Sequence, residues 1–184
     1  MIATALDQLV APPSSKLLGW HLLDARPREG WVRIGFDGKP EFCNPAGFVQ
    51  GGMLSAMLDD TMGPAVFVMT EGRLYTATIT MTVNFLKPAK PGPIVGEANV
   101  TQLGKTIAFV EGRLMAEDGT VLATATTSAR LVEAAKAIRY GACDKADSRS
   151  ARQKASRTPA IAFGQRDRLL SSATTRRVAG EDFE

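Results

Sequence analysis

Histidine and cysteine are the scarce residues of this chain, with one His and two Cys among 184 residues. Cys43 and Cys143 stand alone and far apart, which excludes the cysteine framework of a disulfide-stapled secreted domain and favours a reducing, cytoplasmic setting. No metal-ligand spacing occurs, and no acid or nucleophile lies at a diagnostic distance from His21, which reads as a structural or surface histidine. Nor is there a Gly-rich phosphate loop of the Walker or dinucleotide type, so no cofactor is expected. Long apolar runs are missing too. Nothing approaches the roughly 20 residues a membrane helix needs, and the start has Asp7 but neither a basic run nor a long apolar core. The expectation is a soluble, unexported protein without a membrane partner.

Charge of one sign is also lacking where a fold would form. Residues 1 to 140 carry 13 Lys and Arg against 13 Asp and Glu, so the formal net charge of +3 comes from residues 141 to 184. That balance argues against nucleic-acid binding by the body, which needs clustered basic side chains facing phosphates. Hydrophobic residues at 45% and charged residues at 22% are ordinary globular values and allow a sizeable core. One domain over residues 1–140 is expected. Residues 141–184, rich in Ser, Arg, Lys, Ala and Asp, read as a flexible basic tail, with partner docking as the other reading.

Apolar positions at Ile2, Ala5, Leu6, Leu9 and Val10 predict a short helix ended by Pro12-Pro13. Leu17 to Asp24 reads as either a strand or a helix end. Trp31 to Phe36 alternates with the period of a half-buried strand, followed by a turn at Asp37 to Pro40. A loop then leads through Gln50-Gly51-Gly52 into the apolar set Leu54, Met57, Leu58, Thr61, Met62, Ala65 and Val66, whose spacing predicts a buried helix. Pro64 is expected to kink or end that helix near Asp60 to Gly63. Thr76, Thr78, Thr80, Thr82 and Asn84 alternate with Ala77, Ile79, Met81, Val83 and Phe85, giving a strand with one polar face. Strands over Ile94 to Leu103, Thr106 to Ala116 and Val121 to Val132 follow, the last two joined at Asp118-Gly119, a strong hairpin signal. One helix and consecutive antiparallel strands make an α+β pattern.

Asn44, Gln50-Gly51-Gly52, Asp59 and the strand ending in Asn84-Phe85-Leu86-Lys87-Pro88 resemble, in this order, the PaaI-like hotdog-fold thioesterases over about residues 15 to 135. In the family pattern an Asn and five residues precede His-Gly-Gly, and an Asp stands nine positions after the His. Counting from Gln50, the acid falls on Asp59 and not on its neighbour Asp60. The resemblance implies a long central α-helix wrapped by an antiparallel β-sheet, a homodimer or dimer of dimers, active sites shared across the subunit interface, and acyl-CoA thioester substrates.

The implied site has Asn44 and Gln50 holding the thioester or water from one subunit, with Asp59 and a strand hydroxyl from the other. Thr78 is the first candidate for that hydroxyl and Thr80 the next, with Gly52 beside them as a substrate contact. Thioester hydrolysis needs an oxyanion donor, which the Gly51 amide at a helix N-terminus supplies, and a base or nucleophile, which Asp59 supplies. The one departure is Gln50 in place of the family His: a carboxamide hydrogen-bonds but does not titrate. That departure keeps open a second reading, a hotdog protein that binds acyl thioesters or assembles oligomers without turnover. A hotdog dehydratase would need a His paired with a carboxylate, and His21 lies outside the motif. Cys43 reads as a small packed residue.

Overall fold

The computed structural model describes residues 4–138. Six strands form one antiparallel sheet: β1 (His21–Arg26), β2 (Trp31–Gly38), β3 (Leu74–Phe85), β4 (Gly92–Leu103), β5 (Ile107–Ala116) and β6 (Val121–Glu133), in the order β1-β2-β4-β5-β6-β3. A short helix α1 (Pro13–Leu18) precedes the sheet, and the 19-residue helix α2 (Gly51–Met69) lies on its concave face. A single turn, α3 (Ala134–Ala137), follows β6. This is the α+β hotdog arrangement, a long helix wrapped by an antiparallel sheet. Among the described residues no helix is long and apolar enough to cross a membrane.

The apolar spacing of α2 produces its packing. Leu54, Met57, Leu58, Thr61, Met62, Ala65 and Val66 are all buried, and each large aliphatic side chain so removed from water contributes about 1.5 to 3 kcal/mol. Opposite them stand Val32, Ile34 and Phe36 of β2, Ile94 and Ala98 of β4, and Val110 and Leu114 of β5. The helix comes closest to the sheet where two strand positions lack a side chain. A Cβ on Gly96 would collide with Thr61 Oγ1, and one on Gly112 would come within 2.8 Å of Met62 Cγ. The outer face is polar there, with Glu97 held by Arg113 at 2.7 Å and facing Arg33 at 3.7 Å.

Several expectations need correction. The predicted N-terminal helix is only a 3-10 turn over Ala5–Gln8, closed by a capping box between Thr4 and Asp7; Ile2 lies outside the described residues. Pro12-Pro13 starts a helix instead of ending one, because Pro at the first helical position lacks only an N–H that would be unpaired anyway. Asp37 and Gly38 continue β2 and do not form a turn. The four strands after α2 are antiparallel as expected, with β3 lying beside β6 at the edge of the sheet. Leu17 to Asp24 holds both a helix end and a strand, divided at Gly19, whose φ of 70° terminates α1.

Pro64 neither ends nor interrupts α2, which continues five residues further to Met69. Proline removes the N–H that would have bonded the carbonyl of Asp60, four residues earlier. That carbonyl instead accepts the indole N–H of Trp20 at 3.0 Å. The tail expected over residues 141–184 lies outside the described residues.

Candidate active site

The helix start is assembled by the loop before it. Asn44 Oδ1 accepts the amides of Ala46 at 3.0 Å and Phe48 at 3.2 Å, while the Asn44 N–H donates to Phe48 O at 2.8 Å, so the residue closes its own loop. Cys43 pairs with Val49 across that loop, and Val49 N–H is tied to Ala89 O at 2.8 Å. The chain therefore enters α2 along a fixed path. Gln50 is the N-cap: its carbonyl accepts from Met53 and Leu54, but its side chain makes no capping bond and is exposed.

The first amides of a helix have no intrahelical acceptor, and they carry the positive end of the dipole. Gly51 and Gly52 hold those positions. Phe85, at the end of β3, covers one of them, since a Cβ on Gly51 would approach Phe85 Cζ to 3.0 Å. Two unpaired N–H groups beside an exposed carboxamide form a ready donor site for a carbonyl oxygen.

Two turns along, Asp59 is exposed on α2, and its Oδ1 accepts the hydroxyl of Thr78 at 2.8 Å. Thr78 reaches it because β3 is irregular at that point. Opposite β6, Thr78 pairs with Ala129 and Thr80 with Ser128, leaving Ile79 as an extra residue, a bulge. The bulge exchanges the two faces of the strand. Thr76 and Thr78 face α2 before it, whereas Met81 and Val83 pack on the core after it. The single polar face read from alternation is thus split. Thr80 sits on the outer face, sharing a hydrogen bond with Ser128 Oγ at 2.8 Å, and does not join Asp59 and Thr78.

Asp60 has a different role from its neighbour. Its Oδ2 accepts the hydroxyl of the buried Ser15 at 2.7 Å and its carbonyl accepts Trp20, so both of its polar ends hold the α1 region against α2. Burial raises the Asp60 carboxyl above its ordinary value; the Ser15 bond opposes this and the nearby Asp59 charge adds to it. Ser15 and Trp20 are contributors that sequence reasoning missed. Nothing local marks them, because they act across 45 and 40 residues of chain.

Asp59, Asp60 and Thr78 line one cleft of about 310 Å3, whose remaining walls include Leu6, Leu9, Val10, Phe67 and Tyr75. His21 lies away from this cleft, exposed over Gly35, with Nδ1 2.9 Å from Gly19 O. Within the chain, then, Asp59 and Thr78 are brought together at one place, and Asn44, Gln50, Gly51 and Gly52 at another.

The thioesterase superfamily pattern matches residues 46–123, from the loop before α2 into β6. A candidate esterase of Saccharolobus solfataricus is 31% identical over 90 residues, which is 49% of this chain and 64% of that protein. The chain thus spans just under two thirds of this curated relative. Among solved structures, a candidate thioesterase and phenylacetic acid degradation-related protein of Ralstonia eutropha JMP134 is 31% identical with a TM-score of 0.64, covering 68% of this chain and 95% of its own. A Streptococcus mutans UA159 protein solved bound to acetyl CoA shares the fold at 18% identity and a TM-score of 0.55, over 62% of this chain and 89% of its own. On the identity to the Ralstonia protein, which it matches almost end to end, and on its PaaI-like hotdog fold, the chain belongs to the thioesterase superfamily.

Proposed function

We propose that the chain hydrolyses acyl-CoA thioesters at a site completed by two copies of itself, with Asp59 as the acid and the Gly51 amide as the oxyanion donor. The hydrogen bond from Thr78 to Asp59 carries this reading. It occupies Oδ1, orients the carboxylate toward the cleft and leaves Oδ2 for the substrate or water.

The need for a second copy follows from helix geometry. Eight residues separate Gly51 from Asp59, about 12 Å along the axis at 1.5 Å per residue. One thioester carbonyl has to lie about 3 Å from both its donor and the attacking group, so a single α2 does not supply both. The edge strand β3 supports a homodimer: among the described residues its outer side has no neighbouring strand, and Tyr75, Ile79 and Phe85 are all about half exposed along it.

In this reading the carbonyl oxygen accepts the Gly51 N–H from one subunit as negative charge develops on it. Asn44 holds the loop, and the free carboxamide of Gln50 hydrogen-bonds the thioester or the attacking water. From the other subunit, Asp59 Oδ2 either takes a proton from water as the new C–O bond forms or attacks the carbonyl carbon itself, giving an anhydride that water then opens. In both courses the C–S bond breaks, the CoA sulfur leaves with the electron pair and gains a proton, and the free acid is released. Water is the only co-reactant. The acetyl CoA held by the Streptococcus mutans protein of the same fold supports CoA as the carrier.

Thiol release from a panel of acyl-CoAs tests this reading. Saturable hydrolysis is expected, whereas saturable binding without thiol release contradicts it.

A further inference from the structure

The cleft beside Asp59 has one wall that the motif residues do not explain. Leu6, Leu9, Val10 and Pro12, from the stretch before α1, stand across it from Gly63, Phe67 and Tyr75. Leu9 and Val10 are 38% and 67% exposed and present their side chains to the cleft. Their stretch is not loosely laid. Ser15 grips the Asp60 carboxylate, Trp20 grips the Asp60 carbonyl that Pro64 frees, and the capping box fixes Thr4 to Asp7.

The lining chemistry limits what this space accepts. Two carboxylates, Asp59 and Asp60, face it, and no Lys, Arg or His stands among its described lining residues. A second negative charge entering there would meet like charge without a counterion. Its volume of about 310 Å3 is at the lower end of small-molecule pockets, enough for part of a thioester and too little for a whole CoA conjugate.

We infer that this cleft receives the acyl group, that it selects uncharged apolar acyl groups over dicarboxylic ones, and that the N-terminal stretch from Leu6 to Pro12 sets the upper limit of acyl size. The inference rests on the thioesterase reading and adds the substrate class to it. The carbonyl lies at the Asp59 end, and the acyl group extends between Leu9 and Tyr75 while the CoA stays outside. Since the stretch runs directly into α1, which is held to Asp60 through Ser15, the limit is steric and fixed.

The test compares kcat/KM for butyryl-, octanoyl- and succinyl-CoA in the full chain and in Leu9→Trp and Leu9→Ala. The unaltered chain should favour butyryl- over succinyl-CoA by at least about tenfold, Leu9→Trp should lower the octanoyl-to-butyryl ratio by about tenfold, and Leu9→Ala should raise it. Leu9 is 38% exposed and lies outside the buried core, so Leu9→Ala is expected to fold and decides the matter if the Trp variant does not. Turnover with an unchanged ratio in Leu9→Ala, or equal use of succinyl- and butyryl-CoA, overturns the cleft assignment alone. Failure of the unaltered chain to hydrolyse any of the three overturns the thioesterase reading and this inference with it.

Discussion

Trp20 donates its indole N–H to the backbone carbonyl of Asp60 across 40 residues of sequence, and this bond lets α2 pass through Pro64 unbroken. Replacing Trp20 with Phe leaves that carbonyl unpaired and is expected to cost about 1 to 3 kcal/mol of stability. Pro64→Ala restores an N–H four residues along, so in the Trp20→Phe background it should recover about 1 kcal/mol that it does not give alone. Denaturant unfolding of the four proteins measures this coupling; strict additivity contradicts it.

Thr78 and Thr80 should behave oppositely although two residues apart. Thr78→Val removes the donor to Asp59 and is expected to lower kcat about tenfold to a hundredfold, the size of a hydrogen bond to a charged group. Thr78→Ser keeps the hydroxyl and most of the rate. Thr80→Val, whose partner is Ser128 on the outer face, should leave kcat within about twofold. Steady-state kinetics with one acyl-CoA decides it, and equal losses at the two positions refute the face exchange at Ile79.

The half-buried Asp60 makes stability depend on pH. Its carboxyl is raised in the folded state, so the neutral form fits the fold better than the charged one. The associated stability is fully present below the ordinary carboxylate range and is lost as pH rises through the raised value. Asp60→Asn keeps an acceptor for Ser15 but cannot ionise. Its stability relative to the unaltered chain should therefore rise from pH 3 to pH 7, as followed by urea unfolding; a constant difference rules out the burial effect.

Much of the fold was legible because it follows local periodicity. The apolar set of α2 is buried residue for residue, and the Asp118-Gly119 hairpin joins β5 to β6 as the turn chemistry requires. What was not legible depends on distant partners. Helix propensity makes Pro64 a stop, and only a donor 40 residues earlier overrides it. Alternation gives β3 one polar face, and only its pairing with β6 reveals the extra residue at Ile79. In the proposed site, the motif spacing pointed to Asp59 and the helix start, whereas Asp60, Ser15 and the wall from Leu6 to Pro12 carry no spacing of their own. The apolar residues Leu6, Leu9 and Val10 were the one available signal, and they read as an ordinary packing helix.

Two damaged half-sites should complement each other if the active site is shared. Asp59→Asn lacks the acid, and Gly51→Ala displaces the donor amide against Phe85. Each alone should be nearly inactive. Unfolded and refolded together, a random mixture of dimers carries one intact site in half of its molecules, so activity should return to about a quarter of the unaltered level. No recovery above the sum of the two separate variants contradicts a shared site.

The central claim is that the Asp59 carboxylate performs the hydrolysis, and Asp59→Asn tests it most directly. The substitution keeps size and an acceptor for Thr78 while removing the base or nucleophile. With folding confirmed by circular dichroism, kcat for acyl-CoA hydrolysis should fall by about a hundredfold or more with KM little changed. An Asp59→Asn protein that turns over acyl-CoA at the unaltered rate would contradict the account.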